Sequence, residues 1–288
     1  MWRIDAMHVY LIPYQKKEQA VSIAIMAAKL LQARGVTVIF PAPLRDLESL
    51  PSALYLEEPE AFQLADAVIT VGGDGTILHT ARAGVEYGKP LLGINLGRTG
   101  FLATCELEEI PQKLEAVAAG DYKLDQRMLL DACVPGFADM TFTALNDIVI
   151  YLGARKTTMD FTLFCDGVKI NHYRGDGLIF STPTGSTAYS LSAGGPILDA
   201  SISGIITTPI CAHSLNSPPM VFAGQRRMAL QIHSTSVDEV YICSDGFNEK
   251  RLPAGCIVEV RRSPKTVKLI TFNPADQFKA IDEKLNGR

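Results

Sequence analysis

Hydrophobic positions recur at two different periods along this chain, and the period changes near residue 105. Before that point helical and extended patterns alternate. Met7 to Ile12 reads as a strand. Lys16 to Arg34 reads as a helix, with Val21, Ala24, Ile25, Ala28 and Leu31 along one face and Gly35 as its stop. Val36 to Phe40, Ala67 to Val71 and Leu91 to Asn95 read as further strands, and Ile77 to Glu86 as a short helix between the last two. Strand, helix, strand in this order predicts a parallel sheet covered by helices, whose ligands bind beyond the carboxyl ends of the strands. Pro111 to Ala119 reads as one more helix, closed by Gly120.

After residue 119 the period is two. Leu124, Met128, Leu130, Ala132 and Val134 stand among Asp125, Arg127 and Asp131. Met159 to Cys165 alternates and is followed by Asp166-Gly167; Met228 to Ile232 alternates, as do Val240 and Ile242 before Asp245-Gly246. These runs predict antiparallel sheet with tight turns. The expected fold class is therefore α/β plus β, with an α/β domain over 1–105, a β-rich domain over 106–270, and a weakly helical tail over 271–288 that packs back on the first domain.

Composition narrows the function. The chain has 288 residues, 47% hydrophobic and 20% charged, with a net charge of -4. No global basic field is present to hold nucleic acid or an anionic membrane. Apolar runs are broken well short of the ~20 residues of a membrane span. Met1 to Asp5 lacks a signal-peptide core. The six cysteines show no Cys-x-x-Cys, so they read as reduced core residues of a cytoplasmic protein. The five histidines show no zinc spacing.

The densest chemistry is Gly72-Gly73-Asp74-Gly75-Thr76, at a strand-to-helix turn. Three glycines let the backbone approach a phosphate closely, and the acid points to proton transfer or metal binding rather than anion capture alone. The bland alternative is a tight turn that contains an Asp. A dinucleotide fingerprint would need glycine where Leu78 stands, and a Walker lysine is absent. A second segment, Thr182 to Pro196, is too polar and glycine-rich for a core strand. Its hydroxyls, backbone donors and the Tyr189 ring suit a nucleotide. Asn146-Asp147 alone reads as a strand-edge pair and His213 alone as a structural or exposed histidine, while His79, just beyond the glycine turn, reads equally as a phosphate contact or a solvated helix-face residue.

Together these segments resemble the NAD kinases. The matching pieces, in family order, are Gly72 to Thr76, Gly93-Ile94-Asn95-Leu96-Gly97 with Gly100-Phe101-Leu102, Leu145-Asn146-Asp147, Asp176-Gly177 and Thr182 to Pro196. The resemblance implies a Rossmann-like N-terminal domain and a sandwich-like C-terminal domain that binds NAD. It implies transfer of the γ-phosphoryl of ATP, or of polyphosphate, to the 2′-hydroxyl of the adenosine ribose with a divalent ion, Mg²⁺. It also implies a homodimer or homotetramer. Asp74 matches the proton acceptor, and Gly72, Gly73, Gly75 and Thr76 the phosphate loop. Gly75, His79, Asn146, Asp147, Arg174, Asp176, Thr187, Ala188, Tyr189, Ser190, Leu191 and Ser192 match NAD-binding positions, and His213 a histidine near the reacting groups. The chain departs from the pattern at Asp147 (Glu in many members), Thr99, Thr157, Ala212 and Phe247 (often Gln). The alternatives are a lipid kinase of the diacylglycerol type, which shares the glycine loop, and a non-catalytic NAD(P)-binding sensor.

Overall fold

The computed structural model describes residues 6–46, 50, 52–97, 100–153, 158–213, 216–233, 239–273 and 278–282. The chain divides into two compact units, Met1–Gln126 with Val267–Arg288, and Arg127–Thr266. The change of sequence pattern near residue 105 thus falls inside the first unit.

In the first unit the elements are β1 (His8–Pro13), α1 (Glu18–Gln32), β2 (Thr37–Pro41), β3 (Leu54–Leu56), α2 (Glu58–Leu64), β4 (Ala67–Gly72), α3 (Asp74–Gly84), β5 (Pro90–Asn95) and α4 (Ile110–Ala119). The strands run parallel in the order β3-β2-β1-β4-β5, and residues 268–269 pair beyond β5. This order reverses between β1 and β4, which is the switch point where an open parallel sheet leaves a crevice for ligands. The buried face of α1 differs from the expected stripe. Ala20, Ala24, Ala27, Ala28 and Leu31 are buried, while Val21 and Ile25 are half-buried. Alanines bring the helix backbone close to the sheet, and the branched residues cover its flank. Arg34, just after α1, pairs with Glu115 of α4 at 3.0 Å, and Leu114 and Val117 of α4 join the core beneath α1. The short β3 and α2 lie between the elements read from the sequence; Pro59 sits in the first turn of α2, where a missing N–H costs nothing.

The second unit contains the greater part of β6 (Lys123–Val134), then β7 (Phe137–Ala144), β8 (Asp147–Leu152), β9 (Met159–Cys165), β10 (Val168–Gly175), β11 (Gly177–Ser181), α5 (Tyr189–Ser192), β12 (Gly204–Ile210), β13 (Met220–Ala223), β14 (Met228–Ile232), β15 (Val240–Ser244), β16 (Phe247–Arg251) and most of β17 (Ile257–Thr271). One sheet runs β10-β9-β14-β17, and a second runs β13-β12-β11-β8-β15-β16, with antiparallel pairing throughout. Phe161 and Leu163 of β9 and Leu230 of β14 share one core with Ile148 and Ile150 of β8, Phe180 of β11 and Ile242 of β15. The inward side of every alternating strand is thus buried in a sandwich. Both residues of Asp166-Gly167 and of Asp245-Gly246 have positive φ, as two-residue hairpin turns require. Residues 278–282 are helical, and the rest of the tail expected over 275–288 lies outside the described residues.

Thr207 of β12 is fully buried, and its hydroxyl has no partner among the described residues. Thr207→Val keeps the shape and removes that orphan. It is expected to stabilise the protein by about 1 kcal/mol, a rise of roughly 2–4 °C in melting temperature by calorimetry.

Candidate functional site

In the first unit, β4 ends at Gly72 and α3 begins at Asp74, three residues before the expected helix start. The amides of Thr76 and Ile77 both donate to the Gly73 carbonyl, at 2.9 and 3.3 Å, so the glycine run itself builds the first turn. An acid there is favoured by the positive end of the helix dipole. Asp74 also closes a long loop. Its Oδ2 accepts the Phe101 amide at 2.9 Å, and its Oδ1 accepts those of Leu102 and Ala103 at 3.0 and 3.2 Å. Gly100 lies so close that a Cβ there would overlap the carboxylate. Asn95, at the end of β5 and 2% exposed, braces the other side of the loop. Its Oδ1 accepts the Gly97 amide at 3.2 Å and its amide group donates to Glu106 Oε1 at 3.2 Å. The loop after β5 is thereby folded onto the turn after β4, and Gly73, Gly75 and His79 are left exposed.

In the second unit the turn Leu145-Asn146-Asp147 is held through all six of its backbone polar groups. The three amides donate to one carboxylate, that of Asp245, at 2.8 Å for Leu145, 2.7 Å for Asn146 and 3.1 Å for Asp147. The Leu145 carbonyl accepts the Thr182 hydroxyl at 2.6 Å, the Asn146 carbonyl the Thr182 amide at 2.9 Å, and the Asp147 carbonyl the Asp245 amide at 2.9 Å. Gly185 rests on the Asn146 backbone, and a Cβ there would overlap its carbonyl. With no backbone group unspent, the turn presents its side chains.

Asn146 and Asp147 line a cavity of about 630 Å³ together with Asp176, Ala188 and Tyr189. That volume lies in the range of small-molecule sites. Apolar walls come from Val149, Tyr151, Leu152 and Ile210, and the rim from Cys211, Cys243, Asp245 and Gly246. Five expected residues therefore meet in one cavity, and eight further lining residues were not expected. Asp245-Gly246 was legible only as a hairpin turn.

The expectation that the hydroxyls of Thr182 to Pro196 face a ligand needs correction. Ser181, Thr182, Ser186 and Ser190 are fully buried. Ser186 Oγ donates to the Pro183 carbonyl at 2.6 Å and accepts the Leu198 amide at 3.0 Å, and Ser190 pairs with Thr208 at 2.8 Å. These hydroxyls are consumed in building a 3-10 turn over Thr184–Thr187 and the single turn α5. A polar, glycine-rich segment can enter the interior only when its own side chains satisfy its backbone. The Tyr189 ring, by contrast, is 46% exposed and lines the cavity.

Thr187, Leu191 and Ser192 stand on the same two turns but do not line the cavity. Arg174 and His213 are exposed neighbours outside it: the His213 amide donates to the Arg174 carbonyl at 2.8 Å, and Arg174 Nε donates to Thr158 Oγ1 at 2.8 Å. Arg98, Thr99 and Thr157 lie outside the described residues. All six cysteines are free thiols, but Cys211 is exposed rather than a core residue, because it sits at a positive-φ corner where β12 ends.

Burial, and after it the neighbouring Asp245 carboxylate, pushes the Asp147 carboxyl up to about 7. Burial likewise pushes the Cys243 thiol up to about 11, with Asp147 adding to it, and raises the Tyr189 phenol. Among the described residues, no Lys, Arg or His lines the cavity.

A parallel sheet in Rossmann order with a glycine turn at a strand end, and a β-sandwich that holds a cavity walled by an aromatic ring and paired polar side chains, define a nucleotide-binding protein of two units. Residues 9–122 match the ATP-NAD kinase N-terminal domain and residues 145–272 the ATP-NAD kinase C-terminal domain. The chain is 34% identical over 279 residues to an NAD kinase of Symbiobacterium thermophilum, covering 96% of this chain and 98% of that one. It is 36% identical over 272 residues to an NAD kinase of Moorella thermoacetica, covering 94% and 86%. Among solved structures, yeast NADH kinase complexed with NADH superposes with a TM-score of 0.86 at 26% identity, covering 99% of this chain and 89% of that one. An NAD kinase from Archaeoglobus fulgidus in complex with ATP shares the fold, with a TM-score of 0.76 at 24% identity, covering 98% and 100%. The chain belongs to the NAD kinase family, and it is a phosphotransferase.

The raised Asp147 carboxyl gives a pH-dependent stability. Below the ordinary carboxylate value of 3.8 both folded and unfolded chains carry the proton. As the pH rises from there to about 7, the unfolded chain ionises while the folded one does not, so a destabilising term grows and is complete above pH 7. Asp147→Asn removes that term. Its melting temperature should exceed that of the parent at pH 8 by at least roughly 2–4 °C, about 1 kcal/mol, with the gain fading toward pH 4.

Proposed function

We propose that the protein transfers the γ-phosphoryl of ATP to the 2′-hydroxyl of the adenosine ribose of NAD, giving NADP, with Asp74 as the proton acceptor. The observation that carries this reading is the single cavity in which Asn146, Asp147, Asp176, Ala188 and Tyr189 converge. Its ring face and uncharged walls suit adenine, and Asn146 and Asp147 supply hydrogen-bonding groups for a ribose. Among the described residues its lining carries three carboxyl groups and no cation, which favours the neutral part of a dinucleotide over the phosphates. The glycine turn, with its exposed backbone, is the better match for phosphate.

In the reaction the ribose O2′ attacks Pγ, the Pγ–O bond to the β-phosphate breaks, and its electron pair leaves with ADP. The hydroxyl proton passes to Asp74. A carboxylate is too weak a base to hold a ribose alkoxide in advance, so the proton moves late, as the phosphoryl group detaches in a loose transition state. The three amides that hold Asp74 keep its carboxylate in one orientation through that step. Among the described residues no group of three or more His, Cys, Asp or Glu side chains could cage a metal ion. Mg²⁺ bound with the donor would offset the charge of its phosphates. His79 and Arg174 would serve phosphate and nicotinamide-side contacts, and His213 would stand near the reacting groups. We further propose a homodimer or homotetramer in the cytoplasm; no helix among the described residues is long and apolar enough to cross a membrane.

One assay tests the reading: incubation with NAD, ATP and Mg²⁺, and detection of NADP. Product from dispersed diacylglycerol alone, or NAD binding with no product, would sink it. Polyphosphate and NADH in parallel reactions identify the donor and the acceptor form.

Asp74→Asn should bind NAD within a few fold of the parent and lower kcat by roughly 10²–10⁴. Gly100→Ala retains the acid but crowds its carboxylate, and a misplaced base should lower kcat by about 10². Parental turnover in either variant would show that this seat is not required.

A further inference from the structure

We propose that Asp245 is a positioning residue for dinucleotide binding: by gripping the backbone of the turn at residues 145–147 it sets the direction in which Asn146 and Asp147 face the ligand. The inference rests on the reading of the cavity as the NAD site. Asp245 touches the cavity, but its carboxylate is spent on the amides of Leu145, Asn146 and Asp147. These donors lie 98 to 100 residues away in sequence, and the Asp245 amide returns a bond to the Asp147 carbonyl. The grip is therefore closed at both ends. Three consecutive amides that converge on one carboxylate form an anion-binding concavity filled by the protein's own side chain. An outside anion is thus excluded from it, and the turn cannot rotate without breaking three charge-assisted bonds.

The same carboxylate acts on Asp147 electrically. Among the described residues, Asp245 from the turn after β15, Cys243 from β15 and Tyr189 from α5 interact with the Asp147 carboxyl, and Asp176 between β10 and β11 lines the same cavity. Asp245 is the charge that, next to burial, holds the Asp147 proton on toward neutral pH. Affinity for the adenosine part should then change with pH through an inflection near 7, and the position of that inflection reports the charge of Asp245.

The test is calorimetric titration of the full chain with NAD, from pH 5.5 to 8.5, for the parent, Asp245→Asn and Asp147→Asn. Asparagine tolerates the positive φ of 52° at this position and keeps one acceptor, so the turn itself survives. Asp245→Asn should weaken binding by about tenfold and move the inflection of Kd to lower pH by roughly one unit. A purely structural loss would weaken binding and leave the inflection in place. Asp147→Asn should abolish the inflection, which keeps the inference testable even if Asp245→Asn does not fold. An unchanged pH profile in Asp245→Asn, or an inflection that persists in Asp147→Asn, overturns the proposal. A parent that binds NAD but forms no NADP overturns the kinase reading and leaves this test intact. A parent that binds no NAD overturns both.

Discussion

Carboxylates that accept consecutive backbone amides hold both functional segments of this protein in place. Asp74 gathers the amides of residues 101–103, and Asp245 those of residues 145–147. In each case an acid at a turn captures a loop that would otherwise carry unsatisfied donors. Bonds to an ionised acceptor are roughly twice as strong as neutral ones, and three on one carboxylate outweigh the cost of ordering a short loop. The two units are built on different principles, parallel α/β and antiparallel sandwich, yet they meet the same constraint in the same way.

This constraint explains the glycines and hydroxyls better than ligand contact alone. Gly100 and Gly185 stand where a backbone must come against another group, the Asp74 carboxylate in one case and the Asn146 carbonyl in the other. Thr182 hydrogen-bonds the Leu145 carbonyl and receives the Gly185 amide at 3.0 Å, so it joins the two walls of the turn. The residues that give the family resemblance its specificity are thus divided between those that face the cavity and those that shape it.

Much of the fold was legible in sequence. The change from a helical period to a period of two distinguished a parallel sheet from a sandwich, although the boundary expected after residue 105 falls inside the first unit. Asp166-Gly167 and Asp245-Gly246 marked hairpins, because αL residues in pairs leave few alternatives. Asn146, Asp147, Asp176, Ala188 and Tyr189 were named before the cavity was known. What stayed hidden depends on long-range contact. Nothing near Asp245 announces that its partners lie about a hundred residues earlier, and a string of Ser and Thr does not reveal which way its hydroxyls point. On α1, Ala24, Ala28 and Leu31 are buried as the pattern predicts, but Ala20 and Ala27 take the places of Val21 and Ile25, because small alanines pack more closely on a sheet than a hydrophobicity pattern suggests. The α3 start was set too late because a glycine run reads as loop.

The fully bonded turn at residues 145–147 also bears on how recognition divides its entropy. A rim whose six backbone groups are already committed loses little freedom when a ligand arrives, so the ordering cost is met during folding rather than during binding. Discrimination among ligands of the cavity then falls to shape and to donor–acceptor match against a stationary template. Ligands that require the rim to adapt are rejected by rigidity, not by a weaker set of contacts.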